Sequence, residues 1–240
     1  YFQIVPSNYL ETALWLEADR MGFLLDSLYA RKFENQRDAV KNEKSQNFEN
    51  QPYGLVWEET NKLLYPPGHP YSWPVIGYTE DLNRATLEDV KNFFLRWYGP
   101  NNAILTVAGD IDKEQTLKLI DKYFGTIKSS PEVKKLRVPP VVIPQDKYGA
   151  YKDKIYLPLN LRVYPTVPYY HKDEAALDLL ADMLGRGNNS LLYKNFVKNE
   201  KAIGASASHQ SQELIDIFQI EIMAYPPDDL NYENLFRDLD

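Results

Sequence analysis

The chain offers few groups that could do chemistry at a reactive centre. It has no cysteine and three histidines, His69, His171 and His209, spread far apart along 240 residues. Thiolate zinc sites, disulfides and cysteine nucleophiles are excluded, and any metal site must be built from imidazoles and carboxylates. No two histidines lie close enough in sequence to form a local metal-binding pair. One carboxylate stands out by its setting. In "RDAVKNEKSQNFEN" a helical period places Gln36, Val40, Glu43 and Asn47 on one face, at steps of four, three and four. Arg37, Lys41 and Lys44 point away from that face, so Glu43 keeps company with a valine and two amides. Two readings are open on these residues: a solvated helix glutamate paired with Lys44 or a neighbouring strand, or a carboxylate kept free for a ligand.

The elements that must position Glu43 are readable around it. A helix is expected over "SNYLETALWLEADRMG", capped by Ser7, stopped by Gly22 and largely buried through Leu10, Ala13, Leu14, Trp15, Leu16 and Met21. The helix bearing Glu43 covers roughly Phe33 to Phe48. Pro66, Pro67, Pro70 and Pro74 then impose a loop. Thr86 begins another helix with a capping-box pattern, and Leu87, Val90, Phe93, Phe94 and Trp97 make its core face. "YFQIV" at the start and "AILTVAGD", ended by Gly109, read as strands. "KEQTLKLIDKYFG" reads as a helix closed by Gly125.

Between Lys128 and Lys147 four prolines mix with charges without periodicity, which marks a linker. Beyond it come a strand in "YLPLNLRVYPTV", a helix in "DEAALDLLADMLG", a glycine-rich turn "GRGNNS", a helix in "LLYKNFVKNE", and strands around "GASASH" and "IDIFQIEIMAY". Residues 1–21 echo residues 217–239: an aromatic-Gln-Ile strand, a proline break and an amphipathic helix. The fold class is therefore α+β, with two related domains. Each is an antiparallel sheet with helices on one face, and both are incomplete. The division is 1–127 for the rest of the first domain, 128–147 for the linker and 148–240 for the first part of the second.

The net charge of -7 and the lack of a basic stripe disfavour nucleic acid as a partner, and no apolar run is long enough for a membrane span. "GRGNNSLLYK" lacks the G-K-[ST] ending of a phosphate-binding loop. His69, held by prolines, is read as structural, His171 as a residue near a helix cap, and His209 as strand or turn surface.

Taken in order, "YFQIVPSNYLETALWLEADRMGFL", "NQRDAVKNEKSQNFENQPYG", "PPGHPYSWPVIGYTEDL", "ATLEDVKNFFLRWYGPNNAILTVAGDI" and "KDEAALDLLADMLGRGNNSLLYKNFV" resemble the insulinase (pitrilysin) family of zinc peptidases over almost the whole chain. That resemblance implies an inverted H-x-x-E-H helix supplying two histidine ligands and the general-base glutamate. It also implies a third ligand, a glutamate in an R-x-V-x-x-E context. Val40 and Glu43 keep that spacing, with Arg37 one position further ahead, so the resemblance makes Glu43 the zinc ligand. A carboxylate beside two neutral imidazoles would leave zinc one net positive charge and an open site, on which water reaches a pKa of about 7.

Some members carry an acidic residue seven positions earlier, where this chain has Gln36. Asn47 is a candidate donor to the Glu43 carboxylate. No H-x-x-E-H occurs in residues 1–240, so the catalytic base and the histidine ligands are expected upstream of Tyr1 and Zn2+ in the full-length protein. The chain alone is expected to be inactive. The resemblance further implies a peptide substrate cleaved in an enclosed chamber bordered by Asn189, Ser190 and Tyr193, with Leu191 where many members have arginine. A homo- or heterodimer with a second family subunit and a bacterial periplasmic or envelope location are also implied. The alternative is a non-catalytic homologue that scaffolds or recognises peptides for an active partner.

Overall fold

A computed structural model describes residues 1–134, 138 and 141–226. The chain divides into two compact units, Tyr1–Asn42 with Tyr78–Leu136, and Glu43–Gly77 with Arg137–Asp240. The helix in the expected second half of the internal echo lies outside the described residues.

In the first unit the described residues form helices and no strand. They include α1 (Leu10–Phe23), most of α2 (Ala30–Lys44), α4 (Thr79–Arg84), α5 (Leu87–Trp97) and α6 (Lys113–Phe124). α1 starts differently from the sequence expectation. Ser7 opens a short 3-10 turn with no side-chain cap, and the helix runs one residue past Gly22. It packs against α6, where Glu11 accepts hydrogen bonds from Lys122 (2.8 Å) and Tyr123 (2.7 Å). Only Leu14 and Ala18 of α1 are buried, so the expectation of a largely buried helix is corrected: Trp15 and Leu16 stay exposed.

α5 begins with the expected capping box, Thr86 and Asp89 bonding each other's backbone amides. The Thr86 hydroxyl and amide, both donating to Asp89 Oδ2, hold its carboxyl below its ordinary range. Phe94 is the buried residue of its core face, while Val90 and Phe93 remain exposed. α6 is capped by Asp112 and ends at Gly125 as expected.

The two strands expected in this unit do not form. Residues 1–5 and 103–108 have no regular structure, and Ile4 and Ile104 are more than nine-tenths exposed. The physical reason is that a strand owes its stability to a ladder with a neighbour. Among the described residues of this unit no strand is present to pair with them.

The second unit contains α3 (Val56–Leu64), α7 (Glu174–Gly185) and an antiparallel sheet in the order β1-β3-β2, from Leu159–Pro165, Ile217–Ala224 and Ala202–Gln210. The register pairs Tyr164 with Phe218 and Phe218 with His209. Residues directly opposite share a face, so Phe218, Ile220 and Ile222 lie on the side of Ala205, Ala207 and His209. α7 packs on that side, and its last residue comes so close that a Cβ on Gly185 would lie 1.9 Å from the Ala207 nitrogen.

The opposite face, at Ile217 and Val163, is covered by Leu64, Tyr65, Tyr71, Val141 and Ile143. Fully burying side chains of this kind contributes about 1.5–3 kcal/mol each. The helix expected over residues 191–200 is reduced to a short turn that continues as a π-helical stretch, Tyr193–Val197. The α+β class is thus present as helices with a small antiparallel sheet.

Candidate metal-ligand helix and its surroundings

α2 grows from residues with strong helix propensity, Ala30, Arg31, Lys32, Glu34, Gln36 and Lys41. Glu43 sits in its last turn with an exposed side chain, and among the described residues it makes no hydrogen bond or ion pair. The pairing with Lys44 considered above is not made. Lys44 is 4% exposed, donates to the Gly77 carbonyl (2.9 Å) and lies 3.7 Å from the Glu58 carboxylate. One step along the helix therefore separates a carboxylate in solvent from a buried ammonium.

After Lys44 the helix widens into a π turn, Ser45–Glu49. Such turns shift the helical phase and recur at functional sites. Asn47 and Gln36 are exposed, and neither bonds to Glu43 among the described residues. The turn then closes on Tyr53, whose φ is 62°, with its hydroxyl bonded to Leu157 O (2.6 Å) and its amide to Asp153 Oδ2 (3.2 Å).

Whether these residues fit zinc is decided by the donor set. Among the described residues no group of three or more His, Asp or Glu side chains is placed to hold a metal ion. Glu43 supplies one unpaired carboxylate, which is a donor and not a site. No chemical step through a metal follows from it.

The histidines have other occupations. His69 is buried and stacked on Tyr65, with ring centroids 4.8 Å apart, and its Nδ1 accepts from the Tyr71 amide at 3.1 Å. Burial pushes its pKa below 6.5, and burial together with the neighbouring Tyr71 pushes the Tyr65 phenol up to about 12. His171 lies just before α7, and its Nδ1 accepts from the Asp173 amide at 3.2 Å.

His209 requires a correction. It lies on β2, but its side chain is fully enclosed, with Asp178 Oδ1 2.8 Å from Nδ1 and Asp216 Oδ2 3.3 Å from Nε2. Asp178 reaches it from α7, and Asp216 is 0% exposed beside the start of β3, its Oδ1 accepting from the Gln212 amide. Sequence reasoning missed Lys44 and His209 because Gly77 and Asp178 are distant in the chain, and Asp216, a few residues from Gln212 and His209, because only the turn into β3 brings it under the histidine. The one available signal is a histidine at an alternating position of a small-residue strand, facing the helix side.

Ser190 is buried and its hydroxyl accepts from the Tyr193 amide at 3.3 Å, Asn189 is exposed and Tyr193 is half-buried.

The described residues thus form helices and a small antiparallel sheet, and no three metal-binding side chains come together among them. The chain belongs to the peptidase M16 family, as the insulinase (pitrilysin) resemblance implied: the family model described as "Peptidase M16 inactive domain" matches residues 84–239. It is similar to the zinc protease PqqE of Helicobacter pylori, 31% identical over 217 residues that make up 88% of this chain and 48% of that protein. The crystal structure of a protease from Helicobacter pylori superposes with a TM-score of 0.76 at 27% identity, over 97% of this chain and 57% of that one. A peptidase M16 inactive domain from Pseudomonas fluorescens shares the fold with a TM-score of 0.79 at 18% identity, over 95% and 55% of the two chains. The chain spans about half the length of the relatives it matches.

Proposed function

We propose that this chain is part of a zinc-dependent endopeptidase in which Glu43 is the carboxylate ligand of the metal. The observation that carries the reading is the state of Glu43: a side chain in solvent on the last turn of a helix, with no partner among the described residues, in the Arg37-to-Glu43 context that the resemblance implies. The histidine ligands and the general-base glutamate would come from sequence preceding Tyr1. The metal, once bound, supplies a polarised water. The residues of this chain hold the carboxylate and border the peptide, which would be cleaved inside an enclosed chamber. A second family subunit as partner and a periplasmic or envelope location belong to the same reading. Among the described residues no helix is long and apolar enough to cross a membrane.

Replacing Glu43 with Gln in the intact protein tests this. Removing a ligand is expected to cost more than the about 10–100-fold that loss of a supporting residue costs in metal affinity or activity. Zinc content and peptide cleavage should therefore fall together, and full retention of both rules out the ligand role.

A second reading, a non-catalytic homologue that scaffolds or recognises peptides for an active partner, is favoured by the match of residues 84–239 to the inactive-domain model. An H-x-x-E-H encoded ahead of Tyr1 would decide for the enzyme, and a coding sequence without it for the scaffold.

A further inference from the structure

The aromatic cluster at His69 joins two distant stretches of the second unit. His69 follows α3 in a loop that closes on its own backbone. Its amide donates to Pro66 O (3.1 Å), and its carbonyl accepts from the Ser72 amide (2.9 Å) and hydroxyl (2.8 Å). The ring lies flat on Tyr65 and meets Tyr71 edge-on, with centroids 4.8 and 5.4 Å away. Tyr71 is held at both ends. Its amide donates to His69 Nδ1, and its hydroxyl accepts from the Leu214 amide, each at 3.1 Å. Leu214 lies in the turn ahead of β3, where Ile215 and Ile217 pack on Leu64 and Tyr65.

His69 is the member of this cluster whose charge can change near neutral pH, since burial keeps the Tyr65 phenol neutral up to about 12. Nδ1 accepts a hydrogen bond only while it carries no proton. Once protonated, it turns an N–H toward the Tyr71 N–H and places a charge in a site only 5% exposed.

The surrounding elements offer that charge no counter-ion. On α3, Glu58 and Glu59 pair with Lys44 and Lys62. In the turn ahead of β3, Glu213 is exposed, and Asp216 is taken up by His209 and the Gln212 amide. The segment at Val141 and Ile143 leads to Asp146 and Lys147, both exposed. β1 contributes Val163, while Arg162 lies on the other face of the sheet. Among the described residues His69 makes no ion pair, and burial alone lowers its affinity for a proton.

We propose that His69 is a pH-sensitive latch within the second unit: the neutral imidazole holds Tyr71 where its hydroxyl fastens the Leu214 turn, and protonation releases the turn from the loop. The latch is closed above about 6.5, the ordinary imidazole value, and opens as pH falls through the lower value of the folded chain.

Amide hydrogen exchange in the intact protein, read as protection factors at about pH 7.5 and about pH 5.5, tests it. Protection of the Leu214 amide should fall by up to about tenfold per pH unit between the two imidazole values, because each opening takes up one proton. Leu214 should also exchange faster than the amides of β2 and α7 and respond little to dilute urea, since a local opening exposes little surface. His69→Asn supplies an acceptor oxygen that does not titrate, so Leu214 should be equally protected at both pH values. Tyr71→Phe removes the hydroxyl and should leave Leu214 weakly protected at both. If His69→Asn does not fold, the loss of pH dependence in Tyr71→Phe carries the comparison.

Protection of Leu214 that does not change with pH in the wild type overturns the proposal. So does Leu214 exchange that matches β2 and α7 in rate and urea response, which would mean that the turn opens only when the whole unit unfolds. A His69→Asn or Tyr71→Phe protein that keeps the wild-type pH dependence at Leu214 assigns the effect to another group and overturns it as well.

Discussion

Among single residues, His69 makes the clearest statement about pH. Its Nδ1 accepts from the Tyr71 amide and its ring lies flat on Tyr65, so a proton on Nδ1 breaks a hydrogen bond inside a buried aromatic cluster. Burial of the ring also holds the imidazole below its ordinary value of 6.5 in the folded chain. The unfolded chain binds the proton more readily. The stabilisation is fully present above about 6.5 and is lost as pH falls through the folded-state value. Urea denaturation of the chain at a series of pH values should show stability declining on the acid side of that point. His69→Phe, which keeps a ring and removes the titration, should flatten the decline. An unchanged acid slope in that variant contradicts the assignment. The residue scale also shows what could be read in advance. Glu43 was visible because its neighbours at helical spacing and the Arg37 before it are local. Lys44 was not, because its partner carbonyl lies 33 residues further on. His209 was misplaced at the surface because Asp178 lies on another element, 31 residues earlier.

At the scale of elements, helices with local punctuation were legible and isolated strands were not. α5 carries its own start signal in Thr86 and Asp89, and α6 its own stop at Gly125. Thr86→Ala should destabilise the first unit by about 1 kcal/mol in equilibrium unfolding, the usual value of an N-cap, and no change would mean the cap is idle. Strands depend on what lies beside them. β1, β2 and β3 find one another and form. Residues 1–5 and 103–108, with equally apolar sequences, have no strand to pair with among the described residues. Packing between elements is also beyond local pattern. The close seat of α7 on β2 at Gly185 is visible only in three dimensions. Gly185→Ala should cost about 1–3 kcal/mol, the range for forcing extra volume into a filled contact. Amide exchange in β2 should rise with it, and protection equal to wild type would show that the contact relaxes freely.

At the scale of the molecule, the α+β class was legible because the alternation of periodic segments and breaks runs through the whole chain. The proposed metal site rests in this chain on one carboxylate, since a zinc centre needs ligands from several segments and the described residues bring no three together. The chain belongs to the peptidase M16 family and spans about half the length of the relatives it matches. The central claim is that Glu43 binds the metal. Anomalous diffraction at the zinc edge from crystals of the intact, zinc-loaded protein addresses it most directly. The account predicts a zinc ion with a Glu43 carboxylate oxygen at about 2.0–2.2 Å. A zinc ion held by other residues, with Glu43 turned into solvent, would contradict it.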